Sequence, residues 1–394
     1  MYDALVIGAG PAGSTAARLL AKAGWSVALI EKASFPRPKV CGEFISATSL
    51  PLLSDPAIAD AYLAGAGPEV KRVGMFTGDT VLASAMPPAV QSSARWGRAM
   101  PRDQFDFILA RAAVAAGAEI CQPWKLSSLQ LYPTFSTALI ASGNETREID
   151  ARVVIAAMGS WERSNLSNSP ERPHTGSDLL AFKAHFRNAD LPCDLMPLIA
   201  FPGGYGGMVQ SGGGRVSISF CIRRDTLQRC RETHSGRTAA EAAFRHIAAS
   251  CKGVRDALGS AEVDEHWLAA GPIRPGIRPC YVNDIFFVGN LAGEAHPIIA
   301  EGISMAMQSA WILCRILEQH RHNLLTGGSA AEAGATYRAE WNKAFARRVR
   351  MAAFFARLAL SSKWSVAAHT LVRRVPSLLS FGARLSGKAM QIVG

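Results

Sequence analysis

No uninterrupted apolar stretch in this chain is long enough to span a bilayer, and no basic segment precedes its apolar start. Neither a transmembrane helix nor a signal peptide is therefore expected. Cysteines are dispersed: the eight at 41, 121, 193, 221, 230, 251, 280 and 314 contain no C-x-x-C pair and no dense framework. That argues against a disulfide scaffold and an iron–sulfur ligand set, and favours free thiols in a reducing cytoplasm. No His, Cys and Asp grouping has metal-ligand spacing, so no metal is expected. Internal repeats and low-complexity tracts are absent. Acidic residues are missing altogether from Trp341 onward, where Lys343, Arg347, Arg348, Arg350, Arg357, Lys363, Arg373, Arg374, Arg384 and Lys388 supply nearly all of the net charge of +11. The 394 residues exceed the usual size of one hydrophobic core, so two units, or one with a large insertion, are expected.

What is present begins at once. Ala4 to Ile7 form a short apolar run of the kind found in a strand buried on both faces. Gly8, Gly10 and Gly13 follow with the spacing G-x-G-x-x-G. The first glycine permits a tight turn, the second lets a pyrophosphate approach the backbone, and the third lets a helix pack closely on the strand. Pro11 and Ala12 open that helix, whose N-terminal N–H groups and positive dipole end suit a diphosphate. Ala16, Leu19, Leu20 and Ala23 make its apolar stripe, and Gly24 ends it. Val27 to Ile30 form the next strand, and Glu31 stands at its end. A carboxylate there accepts hydrogen bonds from ribose hydroxyls and repels a 2′-phosphate. Strand, turn, helix, strand and acid together point to a dinucleotide site.

Lys32 to Ser46 is too rich in proline, glycine and charge for a regular element and reads as a loop. Lys71 to Ser84 reads as a hairpin turning at Gly78-Asp79. A helix is expected over Asp103 to Ala116, with Phe105, Ile108, Leu109 and Ala112 at helical spacing. Ala181 to Arg187 alternates Phe182, Ala184 and Phe186 with Lys183, His185 and Arg187, and Val216 to Ile222 repeats the pattern. These are expected as half-buried antiparallel strands. Between them lies the glycine-dense segment Phe201 to Arg215, with Tyr205 its obvious aromatic; its glycines either admit a ligand or make wide turns. Helical segments are expected at Thr238 to Ser250 and near Glu262. Ile285 to Val288 restores the doubly buried character and ends in Gly289-Asn290. Ala292 to Ile303 then leads into a helix carrying Met307, Ala310, Leu313 and Leu317.

With these motifs in this order, over roughly the first 320 residues, the chain resembles the p-hydroxybenzoate hydroxylase-fold flavoproteins and is most similar to their geranylgeranyl reductase-like branch. Four stretches carry the resemblance. They are the fingerprint through Glu31; Arg37-Pro38-Lys39-Val40-Cys41-Gly42-Glu43, similar to the branch's K-x-C-G-E element; Arg102 with Asp106; and Gly289 to Gly302. The resemblance implies an α/β fold. A Rossmann-like FAD-binding domain would be assembled from 1–70, 96–180 and 271–320. A mixed or antiparallel substrate-binding sheet, 71–95 and 181–270, would be inserted, and 321–394 would form a basic amphipathic helical tail. It implies FAD as cofactor, held by Gly8, Gly10, Pro11, Ala12, Gly13, Glu31, Lys32, Cys41, Gly42, Arg102, Gly289, Asn290, Pro297, Gly302 and Ile303. The helix starting near Gly302 would put N–H groups beside the negative charge of reduced flavin, worth on the order of 0.3–2 kcal/mol.

Two departures stand out. Met158-Gly159 replaces the family's Asp-Gly, which leaves the docking of NAD(P)H without its usual residue, and Gly289-Asn290 replaces Gly-Asp. Asn290 still accepts a hydrogen bond from a ribityl hydroxyl. No second nucleotide fingerprint exists, so NAD(P)H is expected only as a transient reductant. Catalytic candidates are Cys41, Tyr205 and His296. For Cys41 the alternative is a small buried hydrophobe, and for His296 a hydrogen-bonded structural role. Glu294 and Glu301 line the cavity or cap the helix.

The expected function is an FAD-dependent oxidoreductase acting on a lipophilic or aromatic substrate. Two reactions stand open: NAD(P)H-dependent hydroxylation with O2, taken first, and hydrogenation of an isoprenoid-like double bond. The non-enzyme alternative is a flavin-bearing membrane or partner-binding protein. Halogenation is disfavoured because W-x-W-x-I-P is absent. In the tail, Phe345, Val349, Ala352, Phe355 and Ala359 share a helical face, and Ala368, Leu371 and Val375 repeat the spacing beyond Trp364. With cationic flanks, this suits a cytoplasmic protein that touches an anionic membrane surface, rather than nucleic acid; the alternative is that the apolar face covers the catalytic domain.

Overall fold

The computed structural model describes residues 1–89, 95–160, 166, 173–360, 374 and 377–388. Its first sheet is built around Tyr2–Ile7, whose Ala4, Leu5 and Val6 have no exposed surface. This strand pairs in parallel with Val27–Ile30 on one side and Glu145–Ala156 on the other. Glu119–Cys121 and Ile285–Phe287 extend the parallel core outward, and the hairpin Lys125–Leu131 with Ser136–Ser142 is added antiparallel to Glu145–Ala156. Burying each Leu, Ile or Val of such strands stabilises the fold by roughly 1.5–3 kcal/mol.

Pro11–Lys22 packs on this sheet as a helix starting at proline, with Lys22 in its last turn, where a cation complements the dipole. Its N-terminal half is buried, because it lies between the sheet and the long helix Gly302–Gln319, whose Cys314 donates to the Ala16 carbonyl. Arg102–Ala115 forms the expected helix.

A second, eight-stranded sheet runs Glu262–Val263, Leu179–Arg187, Val216–Arg223, Gly204–Gln210, Leu195–Phe201, Arg72–Thr77 and Thr80–Ala85, with Leu268–Ile273 also paired to Leu179–Arg187. It therefore takes in residues on the outer sides of positions 181 and 270. The sheet is mixed because Leu195–Phe201 runs parallel to Arg72–Thr77. The hairpin turn falls at Gly78-Asp79, since Thr77 pairs with Thr80. Thr238 caps Ala239–Ser250 by a reciprocal box with Glu241.

Three expectations are corrected. Leu179–Arg187 is not half-buried: Lys183 is 3% and His185 8% exposed, because their side chains meet a buried carboxylate instead of solvent. The residues near Glu262 form a short exposed strand, and the helix ends earlier, at Lys252–Leu258. The glycine-dense segment is not made of wide turns throughout: its centre, Gly204–Gln210, is a strand whose Gly206 and Gly207 line the cavity, and only its ends turn. There a Cβ on Gly206 would stand 2.5 Å from the Ser219 carbonyl, so the neighbouring strand demands glycine.

The chain then returns across both sheets as the helix Ala331–Leu360. Tyr337, Trp341, Phe345, Val349, Ala352 and Ala356 are buried along it. The apolar face assigned to a membrane is thus largely occupied by the protein itself, because it extends the core over the sheets. Arg347, Arg350 and Arg357 are exposed as expected, whereas Arg348 is buried. Trp364, Ala368, Leu371 and Val375 lie outside the described residues. Among the described residues, no helix is long and apolar enough to cross a membrane, and no cluster could hold a metal. All eight cysteines are free, and only Cys193 is exposed.

Candidate active site

A cavity of about 310 Å³ runs from the first βα turn to the inner face of the second sheet. Gly8, Gly10, Pro11, Ala12, Glu31, Lys32, Cys41, Gly42, Arg102, Gly289, Asn290, Pro297, Gly302 and Ile303 line it, as do Tyr205 and His296. Gly13 does not line it. It sits behind, where a Cβ would come within 1.8 Å of the Gly8 carbonyl oxygen, so glycine is needed for helix and turn to touch. Gly8 itself has φ +104°, a conformation that favours glycine.

At the fingerprint end, Glu31 is fixed by its neighbours. Its Oε2 accepts from the Ala9 N–H and from Arg37 Nη2, each at 3.0 Å, and Oε1 accepts from the Ala33 N–H at 3.1 Å. Arg37 reaches back over the turn, so that a Cβ on Gly10 would lie 4.0 Å from its Nη2. Arg37 Nε is buried and has no hydrogen-bond partner among the described residues. The helix Pro11–Lys22 has neither a side-chain cap nor an acid in its first turn. A buried guanidinium with an unfilled donor beside an uncapped helix N-terminus fits a diphosphate. Arg37, the first residue of the Arg37–Glu43 element, is thus a site residue missing from the expected cofactor set.

Arg102 holds Asp106 in a fork, Nε to Oδ1 and Nη2 to Oδ2, both at 2.8 Å. Burial alone would lower the Arg102 pKa, but the Asp106 carboxylate outweighs it and raises it. Arg37 Nη1 lies 3.3 Å from the same carboxylate, which ties the two arginines into one network.

Between the cofactor end and the second sheet stands Glu43, fully buried and with φ +64°. One carboxylate oxygen accepts from Lys183 Nζ, and the other lies 2.9 Å from His185 Nε2. Burial pushes the Glu43 carboxyl up, but the His185 hydrogen bond and Lys183 charge bring it down to about 2. The Glu43 N–H also approaches Cys41 Sγ at 3.4 Å. Lys183 and His185 share the polar face of the alternation; what sequence alternation cannot show is that a carboxylate waits on that side.

At the far end, Tyr205 is fully buried, with its Oη 2.9 Å from His296 Nδ1. Burial, then Cys221, pushes the phenol pKa upward, so Tyr205 remains protonated. Burial and the Arg357 charge lower the His296 imidazole to about 4, so it is neutral near pH 7. Glu294 is buried with Arg278 Nη2 3.3 Å away; burial raises its pKa despite that cation. Glu294 lines the cavity, whereas Glu301 is buried and paired with Lys388. The Asn290 amide donates through Nδ2 to Ser160 Oγ at 2.9 Å, leaving its side-chain Oδ1 as acceptor. The remaining wall toward the second sheet is apolar, with Phe182, Met196, Leu198, Met208, Phe220 and Ile273.

Comparison with known proteins agrees with this geometry. The chain is 26% identical over 317 residues to the digeranylgeranylglycerophospholipid reductase of Methanosarcina mazei, covering 78% of this chain and 73% of that one. Its fold matches a flavin-dependent brominase with a TM-score of 0.80 at 20% identity, over 98% of this chain and 93% of the other. It also matches a geranylgeranyl bacteriochlorophyll reductase-like protein from Thermoplasma acidophilum, with a TM-score of 0.70 at 19% identity over 100% and 93% of the two chains. At such identities these two structures speak for the fold alone. The sequence family described as FAD binding domain matches residues 1–352. The chain therefore belongs to the FAD binding domain family and is an FAD-dependent oxidoreductase.

Proposed function

We propose that this enzyme hydrogenates carbon–carbon double bonds of an isoprenoid-type lipid chain, with NAD(P)H as the transient reductant. Of the two reactions left open by the sequence, this takes the second. The observation that carries it is the placement of Cys41, from the K-x-C-G-E-like element, on one cavity with the Tyr205–His296 pair and an apolar wall. The Methanosarcina relative, a digeranylgeranylglycerophospholipid reductase, points the same way.

Saturating a double bond requires a hydride equivalent on one carbon and a proton on the other. FAD, once reduced, supplies the hydride equivalent. The proton has to come from a group that stays protonated in an apolar cavity. Tyr205 meets that requirement, because its buried phenol stays protonated, and with His296 in its Nδ1–H tautomer the proton given to substrate is replaced by relay, Nδ1–H passing to the phenolate as Nε2 takes a proton from solvent. Phe182, Met196 and Phe220 exclude water and accept an apolar chain. Glu43, held by Lys183 and His185, positions the loop that carries Cys41.

A lipid substrate also gives a membrane contact a purpose. With the inner face of Ala331–Leu360 occupied, that contact rests on Phe354 and Phe381, 52% and 57% exposed, with Arg350, Arg357 and Arg384 also exposed.

The test is anaerobic reduction of the purified holoenzyme by NADH or NADPH, followed by a panel of prenyl lipids and alkyl phenols with and without O2, reading product masses. Gain of hydrogen without O2 supports the proposal. Gain of oxygen only when O2 is admitted would replace it with hydroxylation.

A further inference from the structure

We propose that the far C-terminal segment is a working part of the flavin site: Lys388 neutralises Glu301 and so sets how tightly the reduced form of FAD is held. This goes beyond the choice of substrate and stands whichever reaction the enzyme performs.

Glu301 is fully buried and immediately precedes the helix Gly302–Gln319. The first turn of that helix, with Gly302, Ile303 and Ala306, lines the cavity. The Glu301 side chain caps nothing in the helix. Its Oε1 instead accepts from Lys388 Nζ at 2.9 Å. The same ammonium donates to the Ile299 carbonyl at 2.6 Å and lies 5.1 Å from the ring centroid of Phe44, another cavity residue. Lys388 itself is only 6% exposed.

The segment is fitted into place rather than draped over the surface. Gly387 has φ +102°, and a Cβ there would stand 2.5 Å from the Arg348 guanidinium. Arg348, buried on the helix Ala331–Leu360, donates to Gln308 Oε1 at 3.2 Å and adds a second cation near Glu301. Two cations of the basic tail, Arg348 and Lys388, therefore lie inside the protein, beside one carboxylate.

The electrostatic consequence follows from position. A helix N-terminus favours negative charge on a ligand, and reduced flavin is more negative than oxidised flavin. An unneutralised Glu301 at that terminus would oppose this preference, and low local dielectric would enlarge the opposition. Lys388 removes it. It is a positioning residue, acting through Glu301 rather than on substrate.

The experiment measures the two-electron midpoint potential of the FAD holoenzyme, by equilibration with a reference dye, in Lys388→Gln, Lys388→Arg and the double variant Glu301→Gln/Lys388→Gln. Lys388→Gln is expected to hold reduced FAD at least tenfold less tightly relative to oxidised FAD, a drop of about 30 mV for a two-electron couple. Lys388→Arg should stay within threefold of the parent. The double variant, which removes both charges, should return toward the parent. A Lys388→Gln potential equal to the parent's, with only its melting temperature lowered, would make Lys388 a structural anchor and overturn the proposal. If Lys388→Gln alone does not retain FAD, the double variant decides. A potential near the parent's supports charge compensation, and one lowered by about 30 mV or more, a tenfold change, overturns it.

Discussion

Glu43 and Lys183 lie 140 positions apart and form an ion pair with neither side chain appreciably exposed. The pair joins the Cys41 loop to the second sheet, and His185 shares the same carboxylate. Removing Lys183 takes the full cation from a buried carboxylate and leaves it only the imidazole of His185. Lys183→Met should therefore cost roughly 3–5 kcal/mol, measured by urea denaturation. Glu43→Gln/Lys183→Met, which removes both charges, should cost less than the single change.

The same carboxylate predicts an acid transition. Its folded pKa, about 2, is depressed below the ordinary value of 4.5. The unfolded chain therefore binds the proton more readily, and Glu43 contributes stability above the ordinary carboxylate range. That contribution falls as the pH drops from about 4.5 toward 2. Denaturation midpoints recorded across this window should decline, and the double variant should decline less steeply.

At the fingerprint end, Arg37→Met should weaken FAD binding about 10–100-fold, the loss of one charge-assisted contact worth about 1.4–3 kcal/mol. Flavin fluorescence on titration of apoprotein reads this directly. Gly13→Ala should be more severe, since its Cβ would overlap the Gly8 carbonyl. An unchanged affinity for Arg37→Met would remove this residue from the diphosphate site.

Tyr205→Phe is expected to retain FAD and its reduction by NAD(P)H while slowing substrate saturation by about 10²–10⁴-fold, the usual worth of a general acid. His296 is neutral above its lowered pKa of about 4. The rate should therefore show no inflection near the ordinary histidine pKa of about 6.5. A histidine-like break there would assign the proton chemistry differently.

Phe354→Ser combined with Phe381→Ser should reduce sedimentation with anionic liposomes and leave the melting temperature nearly unchanged, because both rings are exposed. Equal binding by the variant would remove the membrane contact from the proposal.

The sequence by itself determined the dinucleotide end of this protein. Gly8, Gly10 and Gly13 act through backbone geometry and Glu31 through a carboxylate fixed at the next strand's end, all within one strand–turn–helix–strand unit, so their spacing is legible without knowing the rest of the fold. Asn290, Pro297 and Gly302 are implied by the family resemblance rather than by local pattern, and the fold brings them to the cavity wall. Tertiary structure alone decided the partners of Glu43, Lys183, His185, Glu301 and Lys388. Alternation along Leu179–Arg187 shows which side chains share a face, but not what that face meets. The basic tail carried the same ambiguity. An apolar helix face flanked by arginines satisfies a bilayer or a protein core equally well, and only packing showed that Phe345, Val349 and Ala352 are buried against the protein. Charge obeys the same limit: a lysine at position 388 is solvated unless distant backbone brings a buried carboxylate to it, and that is settled by the fold as a whole.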